Sequence, residues 1–169
     1  AIRFDRISQP WLRALGKQWT RHRLCTGIEP GGGSLGVRGL TSLSLHLSSM
    51  KSPPKGPGDL THDMVQAWVS GLAGSALAAS TRMGLIGQVS VFLREVHRRG
   101  WAPDLPATTM VFPEDFPARS PRTARGLSEQ VMAQLETPQA LSRLPERHRL
   151  VVEVLIRCGL RTSDALGLR

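Results

Sequence analysis

A glycine, an arginine and an acidic residue lie close together near the end of the chain, in the stretch CGLRTSD at positions 158–164. The apolar pattern before Gly159 predicts a buried helix, and Ser163 is a suitable cap for another one. Arg161 is therefore expected in a turn between two helices, where its guanidinium and the N–H groups of the next helix can bind a phosphate together. Asp164 is placed to favour the helix dipole and to hold the guanidinium.

This stretch resembles the first catalytic-arginine motif of the tyrosine recombinases, the family of the phage integrases. The motif is an apolar helix followed by G-L-R-x-S-[DE]-x-L-x-L, which residues 159–168 match, although Cys158 stands where a threonine is common. The resemblance implies that Arg161 is a catalytic residue that binds the scissile phosphate and that Asp164 supports it. Residues 127–129 resemble the start of the family's catalytic domain, and residues 61–100 resemble the second half of its core-binding domain.

The resemblance implies an all-α fold in three parts. Residues 1–117 would form a four-helix SAM-like core-binding domain that binds DNA, residues 118–126 a basic Pro/Arg-rich linker, and residues 127–169 the first helices of a truncated catalytic domain. Both ends of the chain are expected to be cuts. The implied activity of the intact protein is DNA integration and recombination by strand transfer, without a metal or other cofactor. Its implied partner is double-stranded DNA, on which it would self-associate.

Other residues that the family needs do not occur in this chain. The family uses a tyrosine nucleophile, a lysine on a hairpin, a His-x-x-Arg pair and a further histidine or tryptophan. The chain has no tyrosine, and none of its five histidines is followed three residues later by an arginine. A phosphotyrosyl intermediate requires the phenol, so we expect this polypeptide to be inactive alone. The histidines are expected to be solvated or core residues.

The charge of the chain points to a polyanionic partner. It has 22 basic and 13 acidic residues, a net charge of +9, and only Lys17, Lys51 and Lys55 among its basic residues are lysines. Arginine is the better geometric match to phosphate, and each phosphate contact releases counterions. No apolar run approaches the ~18 residues of a membrane span, so we expect a cytoplasmic protein. Cys25 and Cys158 form no CxxC pair and are expected to be buried thiols.

The helix predicted from Ser80 to Arg99 is the candidate DNA-binding element of the first part. At about 100° per residue it buries one apolar stripe, formed by Ile86, Val89, Leu93 and Val96. The opposite face carries two small residues and two arginines, Gly87, Ser90, Arg94 and Arg98. We predict that Arg94 and Arg98 bind DNA phosphates, and that Arg122 and Arg125 follow the duplex along the linker.

The other elements follow from caps, prolines and glycines. Residues 30–33 (PGGG) predict a flexible break, and the leucines of residues 35–47 predict a helix, although their alternation also suits a strand. Thr61 and Ser128 are placed to cap helices, and Gly100 to end one. Pro138 and Pro145 occupy positions typical of a first helical turn. The helix at Pro145 is expected to bury five residues, Leu150, Val151, Val154, Leu155 and Cys158.

Two alternatives remain open from the sequence. Residues 144–152 with the glycine corner behind them also resemble the helix-turn-helix of sigma-factor-like transcription regulators, whose second helix would begin at Ser163 and read the major groove. Gly167 would weaken that recognition helix, and this reading leaves the helical domain and basic linker in front unexplained. A degenerate gene product that folds poorly is the second alternative.

Overall fold

The computed structural model describes residues 2–27, 30–117, 128–159 and 162–167. These ranges contain helices, turns and irregular segments but no β-strand, which confirms the predicted all-α fold class. The chain divides into two compact units, Ala1–Ser120 and Pro121–Arg169. The first unit contains α1 (Pro10–Cys25), α2 (Pro30–Ser48), α3 (His62–Ala73) and α4 (Ala79–Arg99), with 3₁₀ turns at Pro57–Asp59 and Pro113–Asp115. The second contains α5 (Glu129–Leu135), α6 (Pro138–Ser142), α7 (Glu146–Cys158) and α8 (Thr162–Leu166).

Helix α2 is central in the first unit and packs against α1, α3 and α4. The largest buried side chains are aromatic: Trp19 and Phe92 meet edge to face with their ring centroids 5.5 Å apart. Trp68 is also buried, and its indole N–H donates to the Ser42 hydroxyl at 3.1 Å. An edge-to-face aromatic pair such as Trp19 and Phe92 buries a large apolar area, and its geometry stabilises the fold by about 1 kcal/mol beyond that burial. Trp19 and Trp68 are thus core residues of the first unit.

The glycine-rich start of α2 is helical, so the flexible break predicted for residues 30–33 is wrong. The reason is close packing: a Cβ added at Gly33 would lie 3.0 Å from Ile2 Cδ1, and one at Gly36 would lie 2.7 Å from the Trp19 ring. A Cβ at Gly39 would lie 3.1 Å from the Leu85 carbonyl oxygen of α4. A glycine inside a helix costs about 1 kcal/mol relative to alanine. In α2, however, the absence of a side chain lets the helix approach its neighbours closely.

Most of the predicted helix boundaries are confirmed. Thr61 accepts a hydrogen bond from the Met64 N–H at 3.4 Å, and Ser128 accepts one from the Val131 N–H at 3.3 Å. Gly100 ends α4 in the left-handed conformation at φ 60°, which suits glycine. Pro138 is the first residue of α6. By contrast, Pro145 precedes the first turn of α7 as its N-cap, and α8 already begins at Thr162, so Ser163 lies inside it.

The proline-rich segment at 101–117 follows α4 and packs against the helices of the first unit. Three of its side chains are buried in the core, Ala102, Leu105 and Val111. The Thr109 hydroxyl donates to the Leu60 carbonyl at 2.6 Å, and the ring nitrogens of His62 and His97 lie 3.1 Å from carbonyl oxygens of this segment. These contacts attach the segment to α3 and α4.

In the second unit, α7 is amphipathic but none of its side chains is fully buried. Leu150 is 63% exposed and Cys158 is exposed, so their predicted burial is wrong, while Val151, Val154 and Leu155 are half-buried. The helices in substantial contact with α7 are α6 and α8, each five residues long. Helix α7 has thirteen residues, and these two short helices leave part of its apolar side uncovered. Cys25 of the first unit is exposed as well, against prediction.

Candidate nucleic-acid interface

The exposed face of α4 places two predicted DNA-binding residues on one side of the helix. Helix α4 buries Leu85, Ile86, Val89, Phe92, Leu93 and Val96. This confirms the predicted stripe and extends it by two residues. Because Arg94 and Arg98 are one helical turn apart on the other side, both are exposed, Arg98 to 67% of its side chain. Two guanidinium groups at this spacing can contact neighbouring phosphates.

Glu95 lies between Arg94 and Arg98 in the sequence, and its carboxylate forms ion pairs with arginines in the last turn of α4. Its carboxylate lies 2.8 Å from Arg99 Nε and 3.6 Å from Arg98 Nε. The hydrogen bond from Arg99 lowers the pKa of Glu95 below its ordinary value, and the charge of Arg98 adds to the effect. The Arg99 guanidinium also lies over the Trp101 ring, 5.7 Å from its centroid. Arg99 is therefore held by the protein, whereas Arg98 makes only a long, exposed contact.

The small residues of the predicted face differ in their surroundings. A Cβ added at Gly87 would lie 3.9 Å from the Phe116 ring, because the segment after α4 passes over this end of the helix. Gly87 and Ser90 are both half-buried. The face is therefore open at Arg94 and Arg98, whereas at Gly87 it is covered by the Phe116 ring.

Three other arginines of the first unit have structural roles. Arg13 donates to the Ile7 carbonyl at 2.6 Å, and Arg82 donates to the Ala73 carbonyl at 2.7 Å. The Arg23 guanidinium lies over the Trp19 ring, 4.8 Å from its centroid, and donates to the Gln88 side chain at 2.8 Å; burial lowers the pKa of Arg23 below its ordinary value. Their guanidinium groups are occupied within the fold. By contrast, Arg94 makes no ion pair or side-chain hydrogen bond with any described residue.

Three predicted site residues, Arg122, Arg125 and Arg161, lie outside the described residues. Asp164 lies in the first turn of α8 with an exposed side chain, and the Ser163 hydroxyl is 3.3 Å from its Oδ1 atom. The Gly159 that precedes this site is left-handed at φ 61° and ends α7. The two helices of the predicted corner are thus formed on either side of positions 160–161.

A second group of arginines has no signature in the sequence. Arg3, Arg6 and Arg38 are exposed and line one groove of about 580 Å³ between the segment at 2–6, α2 and the start of α4. Arg3 and Arg6 precede the first helix, and Arg38 lies 32 residues further on, so no local spacing connects them. A local signal exists only for Arg38, which is a basic residue on a helix, α2, that contains no acidic residue.

The described residues offer little for metal or nucleophilic chemistry. In these ranges, no group of three or more His, Cys, Asp or Glu side chains is placed to hold a metal ion. His62 and His97 are engaged with backbone carbonyls, as expected of structural histidines. No helix in the described ranges is both long and apolar enough to cross a membrane.

Comparison with known proteins finds one informative similarity. Over 110 residues, the chain is 29% identical to transposase B from transposon PsiTn554 of Staphylococcus aureus. The matched segment covers 65% of this chain but only 17% of the transposase, so the chain spans a small part of that relative's length. No protein-family model matches the chain, and no solved structure matches it. The finding is a similarity to a transposase over part of this chain.

Proposed function

We propose that this chain is the DNA-binding part of a site-specific recombinase of the tyrosine type, an integrase relative. In the intact protein, this part would hold double-stranded DNA for integration and recombination by strand transfer. The observation that carries the proposal is the 110-residue similarity to a transposase. A net charge of +9 and the GLRTSDALGL motif at residues 159–168 support it from the sequence.

The proposed organisation has a core-binding domain at 1–117, a basic linker at 118–126 and the start of a catalytic domain at 127–169. The division of the chain between Ser120 and Pro121 supports a boundary in this region. The described helices of the first unit enclose their own hydrophobic core, which a domain that folds by itself requires.

The proposed catalytic role of Arg161 is to stabilise charge on the non-bridging oxygens of the scissile phosphate. Asp164 would hold that guanidinium in place from the first turn of α8. The positions of Gly159 and α8 support this, because they leave a two-residue connection that contains Arg161. They support a helix-turn-helix less well, since α8 gives way to a turn at Gly167.

The proposed phosphate contacts of the first domain are Arg94 and Arg98, with Arg122 and Arg125 continuing along the linker. Both α4 arginines are exposed, and neither is needed to hold the fold together. An arginine on a rigid helix binds phosphate with its planar fork at a small cost in side-chain entropy. Contacts of this kind position a protein on the duplex and carry no direct sequence information.

The test is duplex binding by the chain across a salt series, measured by fluorescence anisotropy. We expect wild-type protein to bind, and Arg94→Ala/Arg98→Ala to bind more weakly at low salt. If each arginine neutralises one phosphate, the slope of log K against log salt becomes shallower by about 1.8 in the double variant.

The matched control is Lys51→Ala/Lys55→Ala, which removes two exposed charges from the loop after α2. It lowers the net charge equally, so any general electrostatic effect is the same in both variants. An unchanged slope in the arginine variant, or an equal loss in both variants, would exclude α4 as the DNA face. Wild-type protein that binds no duplex at low salt would refute the proposed function.

A further inference from the structure

A groove in the first unit combines three arginines with no acidic side chain in its lining. Arg3 and Arg6 border it on one side and Arg38 of α2 on another, and all three are exposed. None of the three forms an ion pair or a side-chain hydrogen bond with a described residue. Asp5 is their exposed neighbour in the chain but does not line the groove. Three unneutralised guanidinium groups around one depression form a local positive potential that attracts a polyanion.

The hydroxyl groups of the same groove can act as further donors. Thr41 and Ser42 on α2 are engaged by the fold: the Thr41 hydroxyl donates to the Val37 carbonyl at 2.8 Å, and Ser42 accepts from Trp68. Ser34 and Thr81 also line the groove, and their hydroxyls bond to no described residue. A phosphodiester accepts hydrogen bonds from such groups as well as from guanidinium.

The rest of the lining is apolar and includes leucines that are poorly covered. Leu45 is 61% exposed and Leu77 is 42% exposed, one on each side of the groove. Apolar side chains beside arginines and hydroxyls suit a ligand that alternates anionic groups with apolar faces. The sugar-phosphate backbone of a nucleic acid has this alternation, whereas a free inorganic anion does not.

We infer that this groove is a second contact for the DNA backbone, in which Arg3, Arg6 and Arg38 bind phosphates and the leucines contact deoxyribose. The inference rests on the proposed DNA-binding function and adds a surface to it. The segment at 2–6 contributes two of the three charges before the first helix begins. It therefore acts as an arm that is fixed to α2 through the packing of Ile2 and Phe4 on the core.

The experiment compares wild type, Arg6→Ala/Arg38→Ala and the control Lys51→Ala/Lys55→Ala on one DNA duplex. We expect the groove variant to reduce the salt slope by about 1.8 and the control to leave it nearly unchanged. Both groove arginines are exposed and without protein partners, so the thermal midpoint should stay within about 2 °C of wild type. Carbon-13 methyl spectra supply a second measurement: duplex should shift the Leu45 and Leu77 resonances.

The outcomes separate the two proposals. If wild type binds duplex but the groove variant binds with the same slope and the leucine methyls do not shift, the groove is overturned and the proposed function stands. If wild type fails to bind duplex, both are overturned. If wild type binds duplex but the groove variant changes the salt slope only for single-stranded DNA, by about 1.4 for two contacts, the duplex assignment of the groove is overturned. A slope loss in the groove variant with unshifted leucines would reject the apolar contact.

Discussion

The substitution Gly36→Ala tests how closely α2 packs against Trp19. It changes the free energy of unfolding in two opposite ways, because alanine favours the helix but its Cβ clashes with the ring. Gly36 lies inside α2, and an added Cβ would lie 2.7 Å and 2.9 Å from two atoms of the Trp19 ring. The ring cannot move aside easily, because it is 1% exposed and packs edge to face on Phe92. Gly84 in α4 is a matched control, since a Cβ there would have nothing within 4 Å.

The two substitutions change helix propensity by the same amount, a gain of about 0.5–1 kcal/mol for alanine over glycine. Only Gly36→Ala adds a steric clash in a packed core, which costs about 1–3 kcal/mol. We therefore expect Gly84→Ala to raise the free energy of unfolding and Gly36→Ala to lower it or leave it unchanged. The free energies of unfolding of the two variants should differ by about 1–3 kcal/mol, or roughly 4–12 °C in the unfolding midpoint.

Tryptophan fluorescence during urea unfolding is the suitable assay, because all four tryptophans lie in the first unit. The signal therefore reports on the unit that contains both glycines. Equal stabilisation by Gly36→Ala and Gly84→Ala would contradict the close contact, since it would mean that α2 does not approach the Trp19 ring at Gly36.

Two further predictions concern the ends of helices. Glu95→Gln should lower stability at pH 7 by up to about 1 kcal/mol. Because Arg99 depresses the pKa of Glu95, the stabilisation is present above the ordinary carboxyl pKa and disappears as pH falls through the depressed value. The difference between the thermal midpoints of wild type and variant should therefore be present at pH 7 and shrink as pH falls below the ordinary carboxyl pKa; a constant difference would contradict the ion pair. Thr61→Ala should destabilise the first unit by about 1 kcal/mol in urea unfolding, and Thr61→Ser should not; equal losses would exclude the cap.

The local signals in the sequence were sufficient for most helices. Thr61 and Ser128 are recognisable as caps, Gly100 as a stop, and the stripe of α4 by its period, because each depends on residues within a few positions of one another. The glycine-rich start of α2 is not recognisable in this way, because it packs against Ile2 and Trp19, which are distant in sequence. A propensity scale treats a glycine run as a break and contains no information about what packs against it.

The same limit explains the errors in the second unit and at the cysteines. The amphipathic pattern of α7 identifies which side is apolar, but burial also requires another element to cover that side. Leu150 stays exposed because the described helices around α7 do not cover it. Cys25 is a small thiol of a type that is usually buried, yet it is exposed at the end of α1.

Composition shows that the chain is rich in arginine, but only the fold distinguishes the arginines from one another. Arg13 and Arg23 are occupied by contacts within the first unit, whereas Arg38 and Arg94 are exposed and without a partner among the described residues. The net charge of the chain would be the same if all of them were structural. Because a guanidinium that is held by carbonyls and aromatic rings has few donors left, the available arginines set the number of phosphates that can be neutralised. The salt slope of DNA binding should therefore follow the two exposed groups, on α4 and in the groove, rather than the total charge.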